Sequence, residues 1–405
     1  MQPLFFRDDP QFWFETVRSF SHVAYGGADF DEVVSTSSRI EAGNYDSWHD
    51  EWLATAERVA ADGERALAAG HAVTARDALL RASNYYRSAE FFLHGTKRDP
   101  RSDAAYQKSV TCFRTAASLF QPAIEIVEIP YEGTTLPGYF YRVDASGSAR
   151  PTLVLNNGFD GTAEEMHFFG AAAAVERGYN VLTFDGPGQP GPMHREGLTF
   201  RPDWENVIGP VLDFLLPRRE VEASRVALLG LSMGGLLAPR AAAFERRLAA
   251  VMAVDGVYDM AAITTGRFPG GRAEAEKALR APSAPEVDAS IEAMMAENSV
   301  ARWAMHHGMW VMGASTPREY LAKNLDFYLG GGIAEKITCP TLVCSAADDL
   351  FFTGQPEALY EHLKCEKTFM EFTEATGGQA HCHVGSARLA LGRILDWLTA
   401  TLARR

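Results

Sequence analysis

Cysteine is scarce in this chain. Its five residues in 405 are Cys112, Cys339, Cys344, Cys365 and Cys382, odd in number and without paired metal-ligand spacing. That excludes a disulfide-stapled scaffold and fits a reducing, cytoplasmic compartment. Positive charge is short as well. A net charge of −14 argues against a surface for a nucleic-acid backbone or an anionic membrane, and it is read as serving solubility. Long hydrophobic runs are missing: no uninterrupted apolar stretch reaches membrane-spanning length. Met1 to Asp9 lacks the basic flank and apolar segment of a secretory leader. No convincing short repeat is visible, although a helical pair of solenoid type stays open. What the chain does have is bulk. A composition 47% hydrophobic and 22% charged suffices for a large core, and the length favours more than one domain.

Residues 1–122 read as an all-helical N-terminal domain. Trp48, Trp52, Ala56, Val59 and Ala66 keep helical spacing from Ser47 to Ala69, and Gly70 ends the run. A second pattern from Thr74 carries Leu79, Leu80, Tyr85, Tyr86, Phe91 and Phe92. A third runs from Ser102 to about Leu119. After Gln121-Pro122 the pattern changes to short β-rich runs, opening a second domain over 123–405. The early runs, 124–129 and 138–143, lead into continuously apolar ones at 152–155, 181–184, 226–229, 250–254 and 341–344, with a last run at 367–372. Continuous apolarity suits parallel strands buried on both faces. Helical stretches between them predict an α/β fold: a mostly parallel sheet with helices on both sides. Residues 261–336 interrupt the alternation with Trp303, Met305, His306, His307, Met309, Trp310 and Met312. They read equally as a helical insertion with its own core or as a pocket wall, with Trp303, His307 and Trp310 as candidate substrate contacts.

One motif points to chemistry. Gly230-Leu231-Ser232-Met233-Gly234 follows the apolar run 225–229 and precedes a helix-like stretch from Gly235 to Ala243. A serine in G-x-S-x-G between strand and helix sits on a strained turn that exposes its hydroxyl. That hydroxyl needs a base, and the base needs an orienting carboxylate. In the sheet plan that carries this motif, the acid follows a later strand and the histidine follows the last. Asp348 and Asp349 follow the run at 341–345. Asp349, nine positions after Pro340 (349 − 340 = 9), is favoured, with Asp348 as a solvated neighbour. The Gly-rich loop Thr376 to His383 offers His381 as base and His383 as a capping or supporting residue. Backbone amides of Met233 and of Phe159, in the loop Asn156 to Gly161, are the expected oxyanion donors. The cluster from Gly186 to Pro192 lacks the Lys-Ser/Thr of a phosphate loop. His167, His194, His306 and His307 show no ligand spacing, so no metal and no cofactor are expected.

The segments Asn157 to Gly161, Phe184 to Gln189, Gly230 to Gly235 and Phe351 to Pro356 together resemble one α/β-hydrolase group. So do Ala24 to Asp29, Ser47-Trp48 and Arg81 to Arg87. The group holds 2,6-dihydroxypseudooxynicotine hydrolase and the fungal hydrolases that shorten side chains of naphthopyrone pigment precursors. The resemblance implies a helical N-terminal cap over the active site and a homodimer acting on a small aromatic substrate. It implies retro-Claisen hydrolysis of a carbon–carbon bond beside a ketone, with Ser232 as nucleophile and His381 as base, then acid. An additional acidic residue assists in the nicotine-pathway relative; Asp255 and Asp259 are the candidates here, or they shape the turn around Gly256. Esterase, deacetylase, thioesterase and transacylase activities use the same three side chains and stay open. A binding protein that has lost its chemistry would show a broken set, and this one is intact.

Overall fold

The computed structural model describes residues 2–95 and 97–404. Five helices come first: α1 (Pro10–Ser21), α2 (Phe30–Ser37), α3 (Tyr45–Ala68), α4 (Ala72–Glu90) and α5 (Pro100–Ser118). Local signals set their starts. The Asp9 carboxylate accepts from the Phe12 amide ahead of Pro10, Asn44 caps α3, and Asp99 caps α5 ahead of Pro100. The expected apolar face of α3 is the buried one, with Trp48, Trp52, Ala56 and Val59 all turned inward. It packs on α4, which packs in turn on α5.

Eight strands follow: β1 (Glu125–Tyr131), β2 (Thr134–Tyr141), β3 (Arg150–Asn156), β4 (Asn180–Phe184), β5 (Val221–Leu231), β6 (Ala250–Val254), β7 (Thr341–Ala346) and β8 (Lys367–Phe372). They form one sheet in the order β1-β2-β4-β3-β5-β6-β7-β8. The β1–β2 and β2–β4 pairs are antiparallel; every pair from β4 to β8 is parallel. This is the α/β architecture that the alternating pattern predicts. Strands β4, β6 and β7 are buried at every residue, which is why they read as unbroken apolar runs. β1 alternates instead, with Val127, Ile129 and Tyr131 inward. One apolar core runs from Trp52 of α3 through Leu228 of β5 to Leu398 of the last helix.

Between β6 and β7 lie five short α-helices and a 3-10 turn, the longest being Pro285–Glu297 and Ser299–Met312. In this insertion Ala275 is buried, while Leu279, Ile291, Met294, Trp303 and Tyr320 line a cavity. Among the described residues no helix is long and apolar enough to cross a membrane. The loops after β3, β5, β6, β7 and β8 all emerge at the carboxyl edge of the sheet, where ligands and reactive groups gather in open α/β sheets.

Candidate active site

Ser232 sits between β5 and the helix Gly234–Ala242 with φ of 58°. A non-glycine residue adopts that conformation only when its surroundings force it. Here the forcing is close approach. A Cβ on Gly230 would stand 1.9 Å from the Gly234 carbonyl oxygen, and one on Gly234 would stand 2.7 Å from that of Asn156. Glycine at both positions lets strand, helix and neighbouring loop meet, and the turn pushes the hydroxyl outward.

His381 Nε2 lies 2.9 Å from Ser232 Oγ. Its Nδ1 lies 3.0 Å from Asp349 Oδ2. The other Asp349 oxygen accepts from the amides of Phe351 (2.7 Å) and Phe352 (3.1 Å), which fixes the carboxylate plane. Asp348 is exposed, and its backbone amide donates to the Gln379 carbonyl. The structure therefore brings Ser232, His381 and Asp349 together and leaves Asp348 out. His383 turns from the site and uses Nδ1 on the Gly378 carbonyl.

A second carboxylate reaches the same imidazole. Asp255 Oδ2 is 3.1 Å from His381 Nδ1, and its side chain is fully buried. It also accepts from the Cys382 amide in a very short hydrogen bond, while Oδ1 has no partner. Asp259, the other acid considered, is turned to the Arg272 guanidinium and plays no part here. Burial opposes charging of His381, but the Asp349 and Asp255 carboxylates outweigh it and hold the imidazole well above its usual pKa. Burial pushes the Asp255 carboxyl up, against the pull of His381. For Asp349 the facing imidazole and the two amides overcome burial, so its carboxyl lies below the usual range.

The Asn157 to Asp160 loop abuts the serine turn. A Cβ on Gly158 would meet the Leu231 oxygen at 2.7 Å, Ser232 Cβ at 2.9 Å and the Met233 nitrogen at 3.2 Å. Phe159 and Met233 are thus neighbours across the serine. Both Ser232 and His381 open into a cavity of about 680 Å³. Its walls are mainly apolar: Phe14 from α1, Phe159, Met294, Trp303 and Tyr320, with Phe351 and Phe352 after β7. Arg18, Asn157 and Asp160 are among its polar members. Arg18 is already committed, with Nε 2.7 Å and Nη2 2.6 Å from Glu165 and Nη1 3.1 Å from Asp160. Helix α1 therefore both roofs the cavity and is riveted to the loop beneath it.

Of the three substrate-contact candidates, Trp303 lines the cavity, whereas His307 and Trp310 do not. The helix Ser299–Met312 faces the cavity only over its first half. Beyond Trp303 its aromatic stripe passes behind Phe159, whose ring centroid lies 4.7 Å from that of His307. Trp310 stacks instead on His94 at 4.2 Å. Among the described residues, two groups offer closely spaced metal-donor atoms, within each group all within 4.8 Å of one another: Glu90 with His94 and His194, and Asp255 with His381 and Cys382. The first brings His194 into a cluster that its sequence spacing gave no sign of. The first is knit by hydrogen bonds and ion pairs among its own side chains; in the second, Asp255 pairs with the His381 imidazole and accepts from the Cys382 backbone amide.

A hydroxyl on a strained strand-to-helix turn, with an imidazole and a carboxylate arriving after later strands, defines the α/β-hydrolase class. The alpha/beta hydrolase family model matches residues 153–390, and a model described as esterase FrsA-like matches residues 7–262. The chain belongs to the α/β-hydrolase family. It is 35% identical to the hydrolase LUC6 of a Fusarium species over 409 residues, covering 97% of each chain. It is 35% identical to the 20-hydroxy-prefusarin hydrolase FUS2 of Gibberella moniliformis over 406 residues, covering 97% of this chain and 96% of the relative. Among solved structures, 2,6-dihydroxy-pseudo-oxynicotine hydrolase shares the fold with a TM-score of 0.72 at 22% identity, over 95% of both chains.

Proposed function

We propose that this hydrolase cleaves a carbon–carbon bond beside a ketone in a bulky aromatic molecule, through an acyl-enzyme on Ser232. The observation that carries the reading is the hydrogen-bonded run Ser232–His381–Asp349 at the floor of a large, mainly apolar cavity. The name of the 20-hydroxy-prefusarin hydrolase relative supports hydrolysis of a hydroxylated compound.

In this mechanism His381 Nε2 takes the serine proton as Oγ attacks the carbonyl carbon. Asp349 holds Nδ1–H and so keeps Nε2 basic. The oxyanion is met by the amides of Phe159 and Met233. Collapse of the adduct breaks the carbon–carbon bond, and the imidazolium returns its proton to the departing carbanion, which an adjacent aromatic or second carbonyl group stabilises. Water, deprotonated by the same imidazole, then releases the acid. No step calls for a metal or cofactor. The scarcity and odd number of cysteines support a reducing cytosol, and the family resemblance supports a homodimer.

An ester substrate is the second reading, favoured by the match to the FrsA-like esterase model. Product analysis separates the two. An acyl aryl ketone with an ortho-hydroxyl or 1,3-dicarbonyl arrangement is compared with the matching aryl ester, with Ser232→Ala as control. Carboxylic acid from the ketone, lost in the variant, is the expected result. Acid from the ester alone makes this an esterase.

A further inference from the structure

His307 is fully buried outside the catalytic cavity, and it holds the Phe159 backbone through one hydrogen bond: its Nε2 lies 2.9 Å from the Phe159 carbonyl oxygen. A carbonyl accepts, so Nε2 carries the proton. Burial, with the neighbouring His94 imidazole, pushes the His307 pKa down to about 4, so the ring is neutral and Nδ1 is left as an acceptor. The atom facing it at 3.0 Å is His94 Nδ1, which must therefore donate. His94 Nε2 in turn lies 2.9 Å from Glu90 Oε2. That carboxylate also accepts from Ser102 Oγ at 2.9 Å and faces His194 Nε2 at 3.4 Å. His194 is held from its other side by Asp103 at 2.8 Å. Burial disfavours charge on Glu90, but His94 and His194 outweigh it and keep the carboxyl ionised.

The proton assignments leave one consistent chain: the Glu90 carboxylate to His94 Nε2–H, His94 Nδ1–H to His307 Nδ1, and His307 Nε2–H to the Phe159 carbonyl. Its members come from α4, from the turn after it, and from the insertion helix. Stacking of His94 on Trp310 and of His307 on Trp303 (interplanar angles 18° and 16°) holds both rings in plane.

We propose that Glu90 and His94 of the N-terminal helical region, acting through His307, are positioning residues that fix the Phe159 peptide as half of the oxyanion hole. The helical region then does more than roof the cavity. It completes the site, since without His94 the imidazole of His307 loses the donor that sets its tautomer, and the loop loses its anchor. This rests on the reading of Ser232 as nucleophile and of the Phe159 amide as oxyanion donor.

The test uses the full chain and a fluorophosphonate that labels reactive serines, following the labelling rate against probe concentration. It applies whichever acyl bond the enzyme prefers. His94→Phe and His307→Phe keep an aromatic ring in each stack but remove the chain. Loss of an oxyanion donor slows reaction by about a hundredfold or more, so a misaligned one is expected to lower the limiting rate by about tenfold to a hundredfold with the half-saturating concentration unchanged. The double variant is expected to be no slower than the slower single one, because both break the same chain. His94→Asn, which keeps an N–H donor where Nδ1 stood, is expected to retain most of the rate, and it serves if His94→Phe fails to fold. A wild-type limiting rate in folded His94→Phe, losses that multiply in the double variant, or a rate in His94→Asn as low as in His94→Phe would overturn the proposal. Absence of wild-type labelling at Ser232 instead defeats the nucleophile reading, and the positioning role falls with it.

Discussion

Replacing Asp349 with asparagine alters one atom, and the structure dictates which way the new amide must turn. Asp349 Oδ1 accepts from two backbone amides, Phe351 at 2.7 Å and Phe352 at 3.1 Å. An amide NH₂ cannot accept there, so the asparagine oxygen takes that place and its NH₂ faces His381 Nδ1. The imidazole then places its proton on Nε2, the nitrogen that has to receive the serine proton. In the serine-protease precedent this wrong tautomer costs about 10⁴ in kcat, roughly 5.5 kcal/mol of transition-state stabilisation. One local feature moderates it: Asp255 Oδ2 stands 3.1 Å from the same Nδ1 and can hold part of the population in the productive tautomer. Asp349→Asn is therefore expected to lose about 10³-fold in kcat, with KM little changed, and Asp255→Asn added to it to lose the remainder. Asp348→Asn, at an exposed side chain, is expected to match the wild type. The assay is steady-state hydrolysis of an aryl ester or ketone, with a thermal melt to verify folding. Asp349→Asn within tenfold of wild type, or Asp348→Asn as the damaging change, would refute the reasoning and move the orienting role elsewhere.

Other outcomes follow from the same geometry. The base must be neutral to accept the serine proton, and Asp349 and Asp255 hold His381 protonated to higher pH than usual; activity should thus rise with pH through that raised pKa. Asp255→Asn removes one of the two carboxylates and should carry the acidic limb of the kcat/KM profile to lower pH; an unmoved limb would mean that Asp255 does not act on the imidazole. Gly158→Ala drives a methyl to within 2.7 Å of the Leu231 oxygen and 2.9 Å of Ser232 Cβ. The loop must give way, so kcat should fall sharply, and an unaffected rate would show that this loop does not serve the oxyanion. Arg18→Met leaves Glu165 buried without its strongest partner, and breaking such a pair costs about 3–5 kcal/mol. Denaturant unfolding would register that loss; a variant as stable as wild type would mean that His22 and Arg87 hold Glu165 alone.

Much of this site was open to reading in one dimension because its local conformations are written locally. The serine turn needs glycines at 230 and 234, and strand and helix patterns flank it. The sheet core is legible as unbroken apolar runs since both faces are covered. Asp349 and His381 fall at strand ends that the chain order foretells. What escaped depends on adjacency across the sheet and between layers. The contact of Asp255 with His381 exists because the loop after β8 reaches past β7 to the end of β6 and because Asp255 takes a φ of 54°. His94 and His307 are 213 residues apart and meet only when the helical region docks. Trp303, His307 and Trp310 share one helical stripe by spacing, so periodicity alone gave no means to see that Phe159 ends the cavity between the first and second of them.

The most direct test of the central claim is intact-mass and peptide analysis of the enzyme quenched during turnover of the aryl ketone. The account predicts an acyl adduct equal in mass to the released acid fragment, mapped to Ser232 and absent in Ser232→Ala. Ketone cleavage that continues in Ser232→Ala, with no adduct on the wild type, would contradict it and remove the serine from the chemistry.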